Sequence, residues 1–219
     1  MIRAVVFDVG ECLVDETREY GTWADWLGVP RHTFSTVFGA TIARGLDYRE
    51  TFQVFAPGFD LAAQREARAA AGRPETFDEG DLYPEVRSSL AQLRDAGLVV
   101  GIAGNQTARA GRILRSLTLP ADFVATSDDW GVEKPDPAFF DRVVHEVGFP
   151  AEEVLYVGDR LDNDIRPAAS RGLGTVLIRR GPWAVIQRHD PDAAAIPVAR
   201  IHLLSDLPDL VVRLNASGR

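Results

Sequence analysis

Six short runs rich in β-branched residues recur along the chain: AVVFDV (4–9), LVVGIA (98–103), DFVAT (122–126), EVLYVG (153–158), GTVLI (174–178) and RIHLL (200–204). They are too apolar for strands with one wet face, so they read as a parallel sheet buried on both sides. Between them lie segments of helical periodicity with legible ends. Pro84 opens one that carries Val86, Leu90 and Leu93 inward and stops at Gly97. Asp136-Pro137 opens another, with Phe140, Val143, Val144 and Val147 on one face and Gly148 as the stop. Strand–helix alternation of this kind predicts a doubly wound α/β domain.

Residues 15–82 interrupt the alternation and contain no convincing strand. Trp23, Trp26 and Leu27, then Phe34, Val37, Phe38 and Ile42, fall at helical spacing, and Asp60 is placed to cap a helix LAAQREARAAA that ends at Gly72. The expectation is a small all-helical insert at 15–82 with 74–81 as the return linker, and an α/β core made of 1–14 and 83–219. Trp23 and Trp26 are assigned to packing.

A net charge of -8 repels phosphate backbones and anionic membranes, so no nucleic-acid or membrane partner is expected. No stretch approaches membrane-spanning length and the N-terminal apolar run is short for a signal peptide, which predicts a cytoplasmic protein. Nothing in the residues indicates an oligomeric state. Cys12 is the only cysteine, which excludes an intrachain disulfide and a cysteine-based metal site. Lys134 is the only lysine among 24 basic residues. In a chain that otherwise uses arginine, it is a candidate for chemistry needing a compact point charge.

Polar groups gather where the strands end. Asp8 follows the first, Gly104 and Asn105 the second, and Asp159 and Asp164 the fourth, with Lys134 on the loop after the third. In open parallel sheets ligands bind beyond the carboxyl ends of the strands, so these residues are expected to share one pocket. Three aspartates brought together repel one another, and a hard divalent cation, Mg²⁺, suits their oxygen-only supply.

The ordered motifs FDVG (7–10), AGNQ (103–106), EKPDP (133–137) and VGDRLDND (157–164), with a helical insert after the first strand, resemble the haloacid dehalogenase-like (HAD) hydrolase superfamily. That resemblance implies a Rossmann-like core with a helical cap and a phosphatase or phosphotransferase acting on a small phosphorylated metabolite. It implies that Asp8 is the nucleophile that forms an aspartyl-phosphate. Lys134 would neutralise charge on nucleophile and phosphate, Gly104 and Asn105 would lie at the phosphate, and Mg²⁺ would be held by Asp8, the Gly10 carbonyl and Asp159, with Asp164 in support. Three positions depart from the pattern: Gly10 replaces the second aspartate, Cys12 the motif threonine and Gly104 the hydroxyl residue. Losing a general acid typically costs about 10²–10⁴ in rate. Two alternatives follow, a binding or regulatory protein that turns over poorly, and a metal-independent dehalogenase.

Glu11 is the nearest candidate for a relocated acid, with Asp15 and Glu16 behind it; the plain alternative has Glu11 facing water. Thr107 is a candidate substitute hydroxyl. Arg179 and Arg180 read as an exposed pair within reach of a substrate anion. Cys12 and Arg18 match the spacing of cysteine phosphatases, but Asp15 and Glu16 between them would repel an anion. His32, His145, His189 and His202 show no ligand-like spacing.

Overall fold

The computed structural model describes residues 1–217. All six expected strands form: β1 (Ala4–Phe7), β2 (Val99–Gly104), β3 (Phe123–Thr126), β4 (Val154–Gly158), β5 (Gly174–Ile178) and β6 (Ala199–Ile201). They make one parallel sheet in the order β3-β2-β1-β4-β5-β6. The chain builds outward from β1 to β3 and then resumes on the other side of β1 with β4, so the strand order reverses at the β1–β4 seam. Phe7 there pairs with Val157 on one side and Ile102 on the other.

Two strands stop at least two residues before their expected ends. β1 ends at Phe7, because after Asp8 N–H bonds the Val157 carbonyl (2.9 Å) the chain folds back, and the amides of Leu13 and Val14 both reach the Val9 carbonyl at 2.8 and 3.0 Å. β6 ends at Ile201: the Arg179 amide bonds its carbonyl at 2.8 Å, whereas the Leu204 amide turns away to the Glu85 carboxylate at 3.3 Å.

The chain divides into two compact units, Glu16–Asp81 and the remainder, Met1–Asp15 with the chain from Leu82 onward. The first is all helical: α1 (Thr17–Leu27), α2 (Arg31–Ala43), α3 (Glu50–Phe55) and α4 (Leu61–Ala70). α1 ends at Gly28 in the left-handed conformation, φ 67°. Asp60 caps α4, accepting from the Ala62 and Ala63 amides. Six-residue α3 was not foreseen, being too short for a periodic signal. Its Phe52 nonetheless centres the core, with ring centroids 5.4 Å from Trp23, 5.4 Å from Phe34 and 4.9 Å from Phe59. Trp23 is buried, as assigned, and Trp26 half-buried with its indole N–H on Gln64.

In the second unit the sheet is flanked by α5 (Val86–Asp95), α6 (Ala108–Ser116), α7 (Ser127–Trp130), α8 (Pro137–Val147), α9 (Arg166–Ser170), α10 (Gly181–Ile186), α11 (Asp192–Ala195) and α12 (Leu207–Ser217). α8 has the expected limits: Asp136 accepts from the Ala138 amide and Gly148 closes the helix at φ 70°. It packs Phe139, Phe140 and Val143 against Val6, Ala103 and Tyr156 of the sheet. Each such fully buried side chain contributes about 1.5–3 kcal/mol. No described helix is long and apolar enough to cross a membrane.

Within the helical unit the Trp23 indole N–H is offered to two carboxylates, Glu19 at 2.9 Å and Glu75 at 3.1 Å. Arg65 grips Glu75, and the Arg68 guanidinium lies 4.1 Å over the Trp23 ring. Burial, then the charge of Glu75, pushes the Glu19 carboxyl up to about 8. A carboxyl with a folded pKa above its unfolded one contributes stability that is complete below the ordinary glutamate value and lost as pH rises through the raised one. The melting temperature should therefore fall between about pH 5 and pH 8. In Glu19→Gln, which keeps an acceptor for Trp23, thermal melts across this range should be flatter.

Candidate active site

At the β1–β4 seam the ends of two neighbouring strands place Asp8 beside Asp159. Asp164 joins them from the π-helical turn Leu161–Ile165 that follows β4, and one carboxylate oxygen from each of the three lies within 4.8 Å of the others. All three residues are buried, at 7%, 2% and 0% exposure. The expectation that these aspartates converge is met.

Lys134 supplies the opposing charge. Its Nζ, 2% exposed as a residue, donates to Asp164 Oδ1 at 2.6 Å and forms an ion pair with Asp8 Oδ1 at 2.7 Å. Burial alone lowers its pKa, but the Asp164 and Asp8 charges outweigh burial and hold the group well above its ordinary range. Asp164 is raised to about 6, by burial first, with Lys134 pulling it down and Asp8 pushing it up. Its other oxygen accepts from the Arg160 amide at 3.0 Å, so both oxygens have protein donors. Asp159 differs: Oδ2 is buried with no hydrogen-bond partner, and burial, Asp164 and Asp8 together raise its pKa strongly.

Local structure explains how one lysine reaches this place. Asn105, just past β2, takes the Lys134 peptide at both ends: its Oδ1 accepts the Lys134 amide at 2.7 Å and its Nδ2 donates to the Lys134 carbonyl at 2.8 Å. Asp136, two residues on, caps α8. The ammonium is thus delivered by a strand end and a helix start together.

Three glycines close under three acidic side chains. A Cβ at Gly104 would lie 2.5 Å from Asp8 Oδ1, one at Gly158 2.4 Å from Asp164 Oδ2, and one at Gly181 2.6 Å from Glu11 Cγ. A side chain at any of the three would require the acidic side chain beside it to shift. Gly104 is therefore more than a missing hydroxyl, since Asp8 occupies the volume a side chain would need.

Other expected roles are corrected. Thr107 caps α6, its hydroxyl accepting from the Ala110 amide at 3.2 Å, which commits it to the helix. Glu11 does not face water; it is 8% exposed and accepts from Tyr83 Oη at 2.6 Å. Arg179 is exposed as expected, but Arg180 is not: its guanidinium lies 4.0 Å over the Tyr83 ring and pairs with Glu85 at 2.5 Å. Cys12 is a buried thiol whose pKa is raised by burial and then by Asp8, while Arg18 pairs with Asp78 and Asp81. That removes the cysteine-phosphatase reading. No histidine joins the acidic group among the described residues. Tyr83 and Gly181 were not foreseen, because neither carries a motif and their partner Glu11 is distant in sequence.

A sequence model described as haloacid dehalogenase-like hydrolase matches residues 2–172. The chain belongs to that family. This hydrolase is 30% identical to the glyceraldehyde 3-phosphate phosphatase of Methanopyrus kandleri, over 94% of this chain and 97% of the relative. It is 37% identical to the phosphoglycolate phosphatase of Yersinia pseudotuberculosis over 82% of each. Its fold is similar to that of L-2-haloacid dehalogenase from Xanthobacter autotrophicus, with TM-score 0.67 at 22% identity over 96% of this chain and 98% of that one. The last likeness concerns the fold alone, and HAD folds thus accompany more than one chemistry.

Removing the ammonium leaves buried carboxylates without compensation, which typically costs about 3–5 kcal/mol. Lys134→Met should lose stability of that order in chemical denaturation at neutral pH, and much less at acid pH where the carboxyls are neutral.

Proposed function

We propose that this hydrolase is a Mg²⁺-dependent phosphatase that works through an aspartyl-phosphate on Asp8 and releases its leaving group without general-acid help. The observation that carries the reading is the buried triad of carboxylates with one ammonium. Lys134 satisfies Asp8 Oδ1 and Asp164 Oδ1 but leaves Asp159 Oδ2 without a partner. Burial there resists ionisation of the Asp159 carboxyl, and a cation beside it would allow the charged form. The oxygen-only donors suit Mg²⁺. In this reading Asp8, the Gly10 carbonyl and Asp159 hold the ion, and Asp164 acts by holding Lys134 and the Arg160 amide. When bound, the ion supplies positive charge at the phosphoryl oxygens.

The chain's own residues then do the following. An Asp8 carboxylate oxygen attacks phosphorus, forming an acyl phosphate as the ester P–O bond breaks; the departing oxygen takes its proton from water. Lys134, kept protonated by its two aspartates, offsets the charge accumulating on the phosphoryl group. Water then cleaves the acyl phosphate, returning Asp8 and inorganic phosphate. Asn105 serves this chemistry by fixing the Lys134 peptide, and Gly104 by leaving space for the Asp8 carboxylate. Relatives named for glyceraldehyde 3-phosphate and phosphoglycolate support a small phosphorylated metabolite as substrate. The metal-independent dehalogenase alternative leaves Asp159 Oδ2 uncompensated, and no observation favours a purely binding role.

A screen of phosphate esters with and without Mg²⁺ tests the reading. Asp8→Asn should abolish turnover while the fold survives. With no carboxylate at position 10, aryl and acyl phosphates should be hydrolysed at least about 10²-fold faster than alkyl phosphates. Equal rates would show that some group supplies the proton, and activity on a 2-haloacid without metal would favour the dehalogenase.

Asp159→Asn separates the metal from the fold. In metal-free protein it removes a carboxyl that is costly to ionise where it is buried, so the melting temperature should rise by about 2–4 °C at alkaline pH, where that carboxyl would be charged, and change less at acid pH, whereas calorimetric titration with Mg²⁺ should lose its heat.

A further inference from the structure

The turn that carries Asp8 is held from outside by a side chain that the chemistry above does not use. Glu11 sits at φ 50°, a conformation that a side-chain-bearing residue adopts at a cost. Its amide donates to the Val14 carbonyl at 2.8 Å, closing the turn. Its side chain is buried over Gly181, itself at φ 73°, where a Cβ would approach Glu11 Cγ and Cβ to 2.6 and 2.7 Å. Its carboxylate accepts from Tyr83 Oη at 2.6 Å.

Tyr83 is in turn well anchored. Its amide donates to the Leu13 carbonyl at 3.0 Å, and the neighbouring Leu82 bridges Val14 in antiparallel fashion. Arg180 covers the Tyr83 ring at 4.0 Å, and Glu85 joins Arg180 to the Leu204 amide. The phenol therefore has a fixed origin from which to hold Glu11.

We propose that Tyr83 and Glu11 form a clamp that fixes the Asp8–Val14 turn, with Tyr83 a positioning residue and Glu11 its acceptor, not the proton donor to the leaving group. The clamp opposes the relaxation that a non-glycine residue in the left-handed region would otherwise undergo. By holding the turn it holds the nucleophile, whose displacement by about 1 Å can cost roughly 10²-fold in rate. Its catalytic consequence rests on the phosphatase reading; its effect on the turn does not.

The test uses Tyr83→Phe, Glu11→Ala, Glu11→Gln and the Tyr83→Phe/Glu11→Ala pair, assayed on aryl phosphates of graded leaving-group pKa and by amide hydrogen exchange. Tyr83→Phe and Glu11→Ala should each lower kcat by about 10–100-fold with KM within about twofold, as expected of misplacement without lost binding. The pair should be no worse than either alone, because both remove the same bond. Glu11→Gln still accepts from the phenol and should recover most of the kcat lost in Glu11→Ala. The dependence on leaving-group pKa should be the same in every variant. Exchange at the Glu11, Leu13 and Val14 amides should accelerate in the Phe and Ala variants and not in the Gln variant.

A Gln variant as poor as the Ala variant, with a steeper leaving-group dependence than wild type, would make Glu11 the acid and overturn the proposal. Unchanged exchange in Tyr83→Phe and Glu11→Ala would also overturn it. If wild-type protein hydrolyses no phosphate ester, the phosphatase reading fails, and the exchange rates alone decide whether the clamp exists.

Discussion

A single ammonium, Lys134 Nζ, lies between two buried carboxylates at 2.6 and 2.7 Å, and the carboxyl end of the sheet is organised around it. Carboxylates at this depth are tolerable only when paired and hydrogen-bonded. Lysine suits the place because its charge is compact enough to satisfy two oxygens that converge from different strands. The parts that deliver it, the Asn105 side chain and the start of α8 at Asp136, belong to the site as much as the aspartates do.

Around that pair the site is economical with space. Asp8, Asp164 and Glu11 each lie where a glycine has no side chain, so the acidic groups are accommodated by removing bulk below them. One carboxylate oxygen, Asp159 Oδ2, is left without any partner. Buried polar groups in native proteins are nearly always satisfied, and this exception, beside an ammonium already committed to two oxygens, is what supports the proposed metal site.

Much of this arrangement was legible in the residues before any coordinates. Short runs with no polar alternation announced a parallel sheet because both faces of each strand are covered, and β5 was read to the residue. Strand ends placed Asp8 and Asp159, and the solitude of Lys134 singled it out. What stayed hidden depends on partners far apart in the chain. Asn105 meets Lys134 across 29 residues and Tyr83 meets Glu11 across 72, distances at which no local periodicity carries information. Arg180 reads as exposed because two adjacent arginines past a strand end usually face water; only the fold brings Tyr83 and Glu85 to it. Thr107, one residue before α6, caps that helix by ordinary helix chemistry, and its hydroxyl is used there.

The closeness of Gly104 to Asp8 also bears on the protein's history. A hydroxyl at position 104 cannot be regained by one substitution without displacing the carboxylate held by Lys134, since the Cβ alone would come within 2.5 Å of it. The route back runs through an intermediate with a disturbed nucleophile, or requires a second change that re-seats Asp8 first. The residue at position 104 is consequently tied to the placement of the Asp8 carboxylate, and a hydroxyl-bearing side chain there would need a compensating change.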